Sequence, residues 1–152
     1  MLAAEATRHP YAARPIEILD AAGAEPEGEY RAAVATGDAG AVVGVVLFGA
    51  VAGTIGGGTL YGVAVTPHAR RRGVGRALVD HACAGLVAVG ARLALAELPD
   101  DPALGDVRAL LASAGFAERA RVPDLVREGV ALTFLVRALD HALDDTPAEA
   151  SG

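Results

Sequence analysis

The sequence predicts a mixed α/β or α+β domain, a central twisted sheet flanked by helices. Three observations lead there: short Val-rich runs bounded by turn residues before position 66, a change to helical period after Arg70, and a closing order of strand, helix and two strands. The chain has 152 residues, the size of one ordinary domain that can bury a core. With 53% apolar and 21% charged residues it is neither disordered nor collagen-like. Ala and Gly dominate, and there are only 3 Phe, 3 Tyr and no Trp. The core must therefore rely on close backbone approach where other proteins bury rings.

Residues 1–29 form a short N-terminal segment with one expected helix at 15–22, in which Ile16 and Ile18 or Leu19 would face a core. Residues 30–139 hold the domain, and 140–152 read as a flexible acidic tail. Three strands are expected at 30–35, 41–48 and 59–65. The first enters a hairpin turn through Thr36, Gly37 and Asp38. A helix over 73–89 follows from Leu78, Ala82, Leu86 and Val89, which share one stripe, with Gly90 as its stop. Residues 92–97 read as a buried strand broken by Pro99, Asp100, Asp101 and Pro102. The two aspartates suit a helix cap with proline in the first turn, and they could also meet an amine substrate. A second helix carries Leu104, Val107, Leu110 or Leu111 and Ala114 on one side and ends at Gly115. Strands at 116–122 and 130–136 close the chain around a loop at 123–129, and their edge leaves room for a homodimer.

Residues 39–69 contain no Asp, Glu, Lys or Arg, so a membrane-associated protein with a hydrophobic segment there is one reading. Gly53, Gly56, Gly57, Gly58 and Pro67, with Thr54 and Thr59, favour a turn between two strands instead, and no membrane partner is expected. The formal charge of −6 and the pI near 5.1 argue against nucleic acid as a partner. All 13 basic residues are Arg, and four of them are Arg70, Arg71, Arg72 and Arg76. Cys83 is the only cysteine, which excludes an internal disulfide and a thiolate metal cluster, and no metal is expected. Met1 to Ala6 lead into Arg8, His9 and Pro10 with no apolar signal region, so the expected compartment is the cytoplasm.

The chemistry concentrates where a strand ending Val63, Ala64, Val65, Thr66, Pro67 meets Arg70, Arg71, Arg72, Gly73, Val74, Gly75 and Arg76 at a helix start. Unpaired N–H groups and the positive end of the helix dipole favour an anion there. Gly73 and Gly75 would let a phosphate approach, and the arginines add charge-assisted hydrogen bonds. A pyrophosphate suits that geometry. A P-loop is excluded because the chain has no Lys, and a dinucleotide fingerprint fails because Leu78 stands where the third glycine would be.

The pattern Arg70-x-x-Gly73-x-Gly75 after a Val-x-Val-x-Pro strand end, with Ala114-Gly115-Phe116 downstream, resembles the GNAT N-acetyltransferases over residues 30–139. The stretch Arg121-Val122-Pro123-Asp124 and Arg127-Glu128-Gly129 is similar to a bacterial subgroup of that family. The resemblance implies the GNAT acyl-CoA N-acyltransferase fold and acetyl-CoA as acyl donor, with a primary amine of a small molecule or protein as acceptor. It implies that Val63, Ala64 and Val65 meet the pantetheine arm, and that Arg70, Arg71, Arg72, Gly73, Val74, Gly75 and Arg76 form the phosphate turn. Family members open with a strand and two helices before the hairpin; only 29 residues precede Tyr30, so the first strand and helix would be missing.

Acyl transfer needs a neutral amine, a polarised carbonyl and a proton for the departing thiolate. A backbone N–H near Val63 to Val65 would polarise the carbonyl. Glu97, the single carboxylate of an apolar strand, is the candidate base, and equally suits a polar strand end or an acceptor for an Arg. Where the family commonly places a Tyr proton donor this chain has Leu111, so water or Tyr61 would have to serve, although Tyr61 also reads as a structural strand residue. The alternative function is a degenerate, non-catalytic module that binds acyl-CoA or a partner.

Overall fold

The structure, a computed structural model, describes residues 30–37 and 40–139. The segment at 15–22 and the tail at 140–152 lie outside these residues. Six strands form one sheet: β1 (Tyr30–Thr36), β2 (Val42–Ala50), β3 (Gly57–Val65), β4 (Leu93–Pro99), β5 (Ala117–Arg127) and β6 (Val130–Ala138). Their spatial order is β1-β2-β3-β4-β6-β5, with β3 and β4 parallel and every other neighbouring pair antiparallel. Helix α1 (Val74–Ala88) makes the crossover from β3 to β4, and α2 (Gly105–Ser113) joins β4 to β5. The uncharged run at 39–69 supplies β2 and β3 rather than a helix. Among the described residues no helix is long and apolar enough to cross a membrane.

Both helices cover the same side of the sheet. Val46 and Phe48 of β2, Leu60 of β3, Ala94, Ala96 and Leu98 of β4 and Leu135 of β6 form one core with Leu78, Val79, Ala82, Cys83 and Leu86 of α1 and Leu111 of α2. Glycines allow this contact. A Cβ on Gly58 would come within 2.9 Å of Leu86, and one on Gly85 within 2.9 Å of Phe48. Gly44 is the tightest case, because its Cβ would meet Leu78 at 2.8 Å and the carbonyl oxygen of Ala64 at 3.2 Å. Backbone cannot swing aside as a side chain can. Gly44→Ala is therefore expected to destabilise the fold by ~1–3 kcal/mol, read from the urea midpoint.

The boundaries differ from expectation in three places. Strand β3 starts at Gly57, so two glycines of the triplet lie in the strand; Gly58 is there to admit Leu86, and the turn occupies the residues before them. Helix α1 ends at Ala88, leaving Val89 57% exposed as the residue after it, while Val79 and Cys83 take its place in the buried stripe. Gly90, at φ 89°, then reverses the chain, with Gly90 N–H donating to Val87 O and Ala91 N–H to Leu86 O. The expected loop at 123–129 is largely strand: β5 continues to Arg127 through an irregular stretch in which Asp124 has φ 59° and accepts a hydrogen bond from Gly129 N–H at 2.7 Å. Only Glu128 and Gly129 turn the hairpin.

Alternation alone leaves open which side of β4 is covered. The small residues Ala94 and Ala96 face the helices, and Leu93 and Leu95 face away, Leu93 with 49% exposure. On that far side Val45 and Leu47 form a small cluster with Tyr30, Tyr61 and Ala64.

Candidate functional site

The site begins with a bulge in β3. Leu47 pairs with Gly62 and Phe48 with Leu60, so Tyr61 is the extra residue, and bulges of this kind bend a strand. The pairing of β3 with β4 stops at the same place, at Leu60 and Ala96, while its pairing with β2 runs on to Val65. Beyond it β4 stays with β6, where Glu97 lies opposite Phe134, Leu98 opposite Thr133 and Pro99 opposite Leu132. Two parallel strands thus part in the middle of the sheet. Among the described residues, the β4 side of residues 62–65 has no strand partner. Val63 and Val65 pack towards the helices and Ala64 towards the far side.

The end of β3 leads directly into a turn aimed at the same opening. Thr66 N–H donates to Val43 O at 2.8 Å, the 3-10 turn Pro67–Ala69 follows, and Arg70 Nε donates to Val65 O at 3.2 Å. Arg71 has φ 62° and Gly73 has φ 78°, with no positive φ at Arg72 between them. Alternating signs of φ turn successive N–H groups to one side, as in an anion nest. A non-glycine residue held at positive φ also costs on the order of 1 kcal/mol, which marks Arg71 as a strained position. Helix α1 then starts at Val74, with no side-chain cap at Gly73 and no acidic residue in its first turn. Arg70, Arg71 and Arg72 are exposed. Positive helix end, N–H groups and exposed arginines thus fall in one short stretch of chain, 70–74, a combination that favours an anion.

The two glycines of the turn differ in role. A Cβ on Gly73 would meet nothing within 4 Å, so glycine is needed there for its φ. A Cβ on Gly75 would lie 2.9 Å from Leu110 and 3.6 Å from Val65, so its missing side chain admits α2. Arg76 is also turned to α2: it donates to Ser113 O and pairs with Asp80 at 3.1 Å. Asp80 holds Arg137 of β6 at 3.0 Å as well, tying α1 to the sheet. The i,i+4 spacing of Arg76 and Asp80 was a readable sign of that pair; the reach to Arg137 was not.

Glu97 is exposed on the side away from the helices, at the first β4 position beyond the last pair with β3. Among the described residues no hydrogen bond or ion pair reaches its carboxylate. Tyr61 is half-buried and meets Tyr30 edge-on, ring centres 5.4 Å apart. Leu111 is 3% exposed within the core, so its side chain is packing material. His68 and His81 are exposed, and Cys83 is buried, which raises its thiol pKa and keeps it protonated. No group of His, Cys, Asp or Glu among the described residues could hold a metal ion.

The aspartates after β4 are engaged in structure. Asp101 accepts from Ala103 N–H at 2.9 Å, capping the turn Pro102–Leu104, and pairs with Arg127 at 3.4 Å. Asp100 pairs with Arg121 at 2.7 Å. Fully buried Thr133 links the same region, donating to Leu98 O at 2.6 Å and accepting from Arg108 at 2.9 Å. The hydrogen bond from Arg121, together with its charge, lowers the pKa of Asp100 below the usual carboxylate value. A depressed folded-state pKa adds stability above the unfolded pKa and loses it as pH falls through the folded one. The difference in urea midpoint between the native chain and Asp100→Asn should thus be present at neutral pH and close as pH falls through the lowered folded-state value.

Residues 2–116 match the family described as the acetyltransferase (GNAT) family, a span that includes the opening segment. A structure from Desulfovibrio desulfuricans assigned to the GNAT family is 26% identical with a TM-score of 0.78, over 85% of this chain and 81% of that one. A GCN5-related N-acetyltransferase from Kribbella flavida is 25% identical with a TM-score of 0.65, over 79% of this chain and 76% of that one. An aminoglycoside 6′-N-acetyltransferase complexed with coenzyme A shares the fold at 14% identity and a TM-score of 0.67, over 80% of this chain and 79% of that one. No curated protein matches the chain.

Proposed function

The chain belongs to the acetyltransferase (GNAT) family, and from that premise we propose that it transfers the acetyl group of acetyl-CoA to a primary amine in the cytoplasm. The observation that carries this reading is the parting of β3 from β4 at Leu60 and Ala96, directly before the Arg70 to Gly73 turn and the start of α1. An extended chain of amides can add to the free side of residues 62–65 as a short strand would, while a diphosphate occupies the turn. Residues of the turn, Arg70, Arg71, Arg72, Gly73 and Val74, supply the charge and N–H donors. Gly75 and Arg76 contribute through the position of the first helical turn, because their side-chain space belongs to α2.

In this reading a backbone N–H of residues 63–65 polarises the thioester carbonyl, and Glu97 takes a proton from the incoming ammonium. The neutral nitrogen attacks the carbonyl carbon, the C–N bond forms as the C–S bond breaks, and the proton that the nitrogen then sheds passes through water to the departing thiolate. Thiols have pKa values of roughly 8 to 9, so water suffices for this last transfer. The second reading, a binding module without turnover, is supported by Leu111, whose buried side chain offers no proton where the family commonly has a Tyr.

Calorimetric titration with acetyl-CoA combined with detection of free thiol tests both. Binding with amine-dependent thiol release is expected; binding without release for any amine would favour the module, and no binding would sink both. Gly73→Val should weaken acetyl-CoA binding by ~10-fold or more, since a β-branched residue resists positive φ and its methyl groups would stand over the N–H donors.

A further inference from the structure

The sheet face around Glu97 has a composition that selects an acceptor. β4 directs Leu93, Leu95 and Glu97 away from the helices, and β6 sets Val136 opposite Leu95 and Phe134 opposite Glu97. Leu95, Phe134 and Val136 are half-buried, and Leu93 is 49% exposed. Glu97 is the only charged side chain that β3, β4 and β6 contribute to this face. The remaining charge of these strands, Arg137, lies on the helix side, bound to Asp80. The nearest aspartates beyond β4 are occupied by Arg121 and by Arg127 with the cap of Ala103. Among the described residues a single carboxylate thus stands at the mouth of the opening, on an apolar surface, with no second anion beside it.

We propose that the acceptor is a monoamine with an apolar body, its one cationic nitrogen directed to Glu97 and its aliphatic or aromatic group laid over Leu95, Phe134 and Val136. The assignment rests on the acetyltransferase reading and narrows it. A polyamine or aminoglycoside would leave further ammonium groups against leucine, phenylalanine and valine, where desolvation without a counter-charge is unfavourable. An apolar group would gain by covering that surface.

The test is a thiol-release panel on the full chain with linear alkylamines from ethylamine to hexylamine, 2-phenylethylamine, spermidine and kanamycin. The expected result is a kcat/KM that rises about two- to fourfold per added methylene and stands at least tenfold higher for 2-phenylethylamine than for spermidine or kanamycin. Phe134→Asp, which sets a second carboxylate opposite Glu97, should shift preference towards spermidine. Should that variant not fold, the panel on the native chain decides alone. Preference for spermidine or kanamycin, or a flat alkylamine series, would overturn this assignment and leave acetyl transfer standing. Acetyl-CoA binding with no thiol release for any amine would overturn the acetyltransferase reading and this assignment with it.

Discussion

Glu97→Gln should lower kcat for acetyl transfer by ~10²–10⁴-fold, the range that a positioned general base contributes, while acetyl-CoA affinity stays within about a factor of two. The two effects separate because Glu97 lies on the far side of the sheet opening from the Arg70 to Gly73 turn. The side chain is exposed and without a partner among the described residues, so glutamine removes no structural contact and the fold should persist. Raising the pH should narrow the deficit, since more of the amine then arrives already neutral. A variant as active as the native chain at neutral pH would remove Glu97 from the chemistry and leave amine deprotonation to solvent.

The second large effect is expected at the turn. Arg71→Gly combined with Arg72→Ala should weaken acetyl-CoA binding by ~100-fold at low salt, and the loss should shrink at about 0.5 M salt as screening weakens what the native arginines contribute. The Arg71→Gly half of this variant separates ligand binding from folding. Glycine adopts φ 62° without strain, which recovers on the order of 1 kcal/mol, and gives back a similar amount through greater freedom of the unfolded chain. Stability should thus stay within ~0.5 kcal/mol while affinity falls. Unchanged affinity in calorimetry would show that the guanidinium groups at 71 and 72 are solvated bystanders.

Much of the architecture was legible because it is encoded at short range. The six strands and two helices follow from period-two and period-3.6 patterns in Val, Leu and Ala, and Gly90 and Gly115 mark helix ends because glycine tolerates the positive φ, 89° and 91°, that terminates them. The turn Arg70-x-x-Gly73-x-Gly75 was visible for the same reason: a strand end, a positive-φ glycine and a helix start are adjacent in the chain. What failed depended on partners distant in the chain. A glycine triplet looks like a turn until Leu86 is known to press on Gly58, and Pro123 with Asp124 looks like a loop until β5 is known to resume its pairing with β6 at Arg127.

The amino-acid order by itself determined the elements, their sequence and the position of the Arg70 to Gly73 turn, since each depends on backbone preferences of residues a few positions apart. Only the tertiary structure decided that β3 parts from β4 after Leu60, that Gly75 serves α2, that Arg76 reaches Ser113, and that Glu97 stands opposite Phe134 on the face away from the helices. Those are contacts between segments tens of residues apart, chosen by which faces bury together, and a periodic pattern carries no term for its partner.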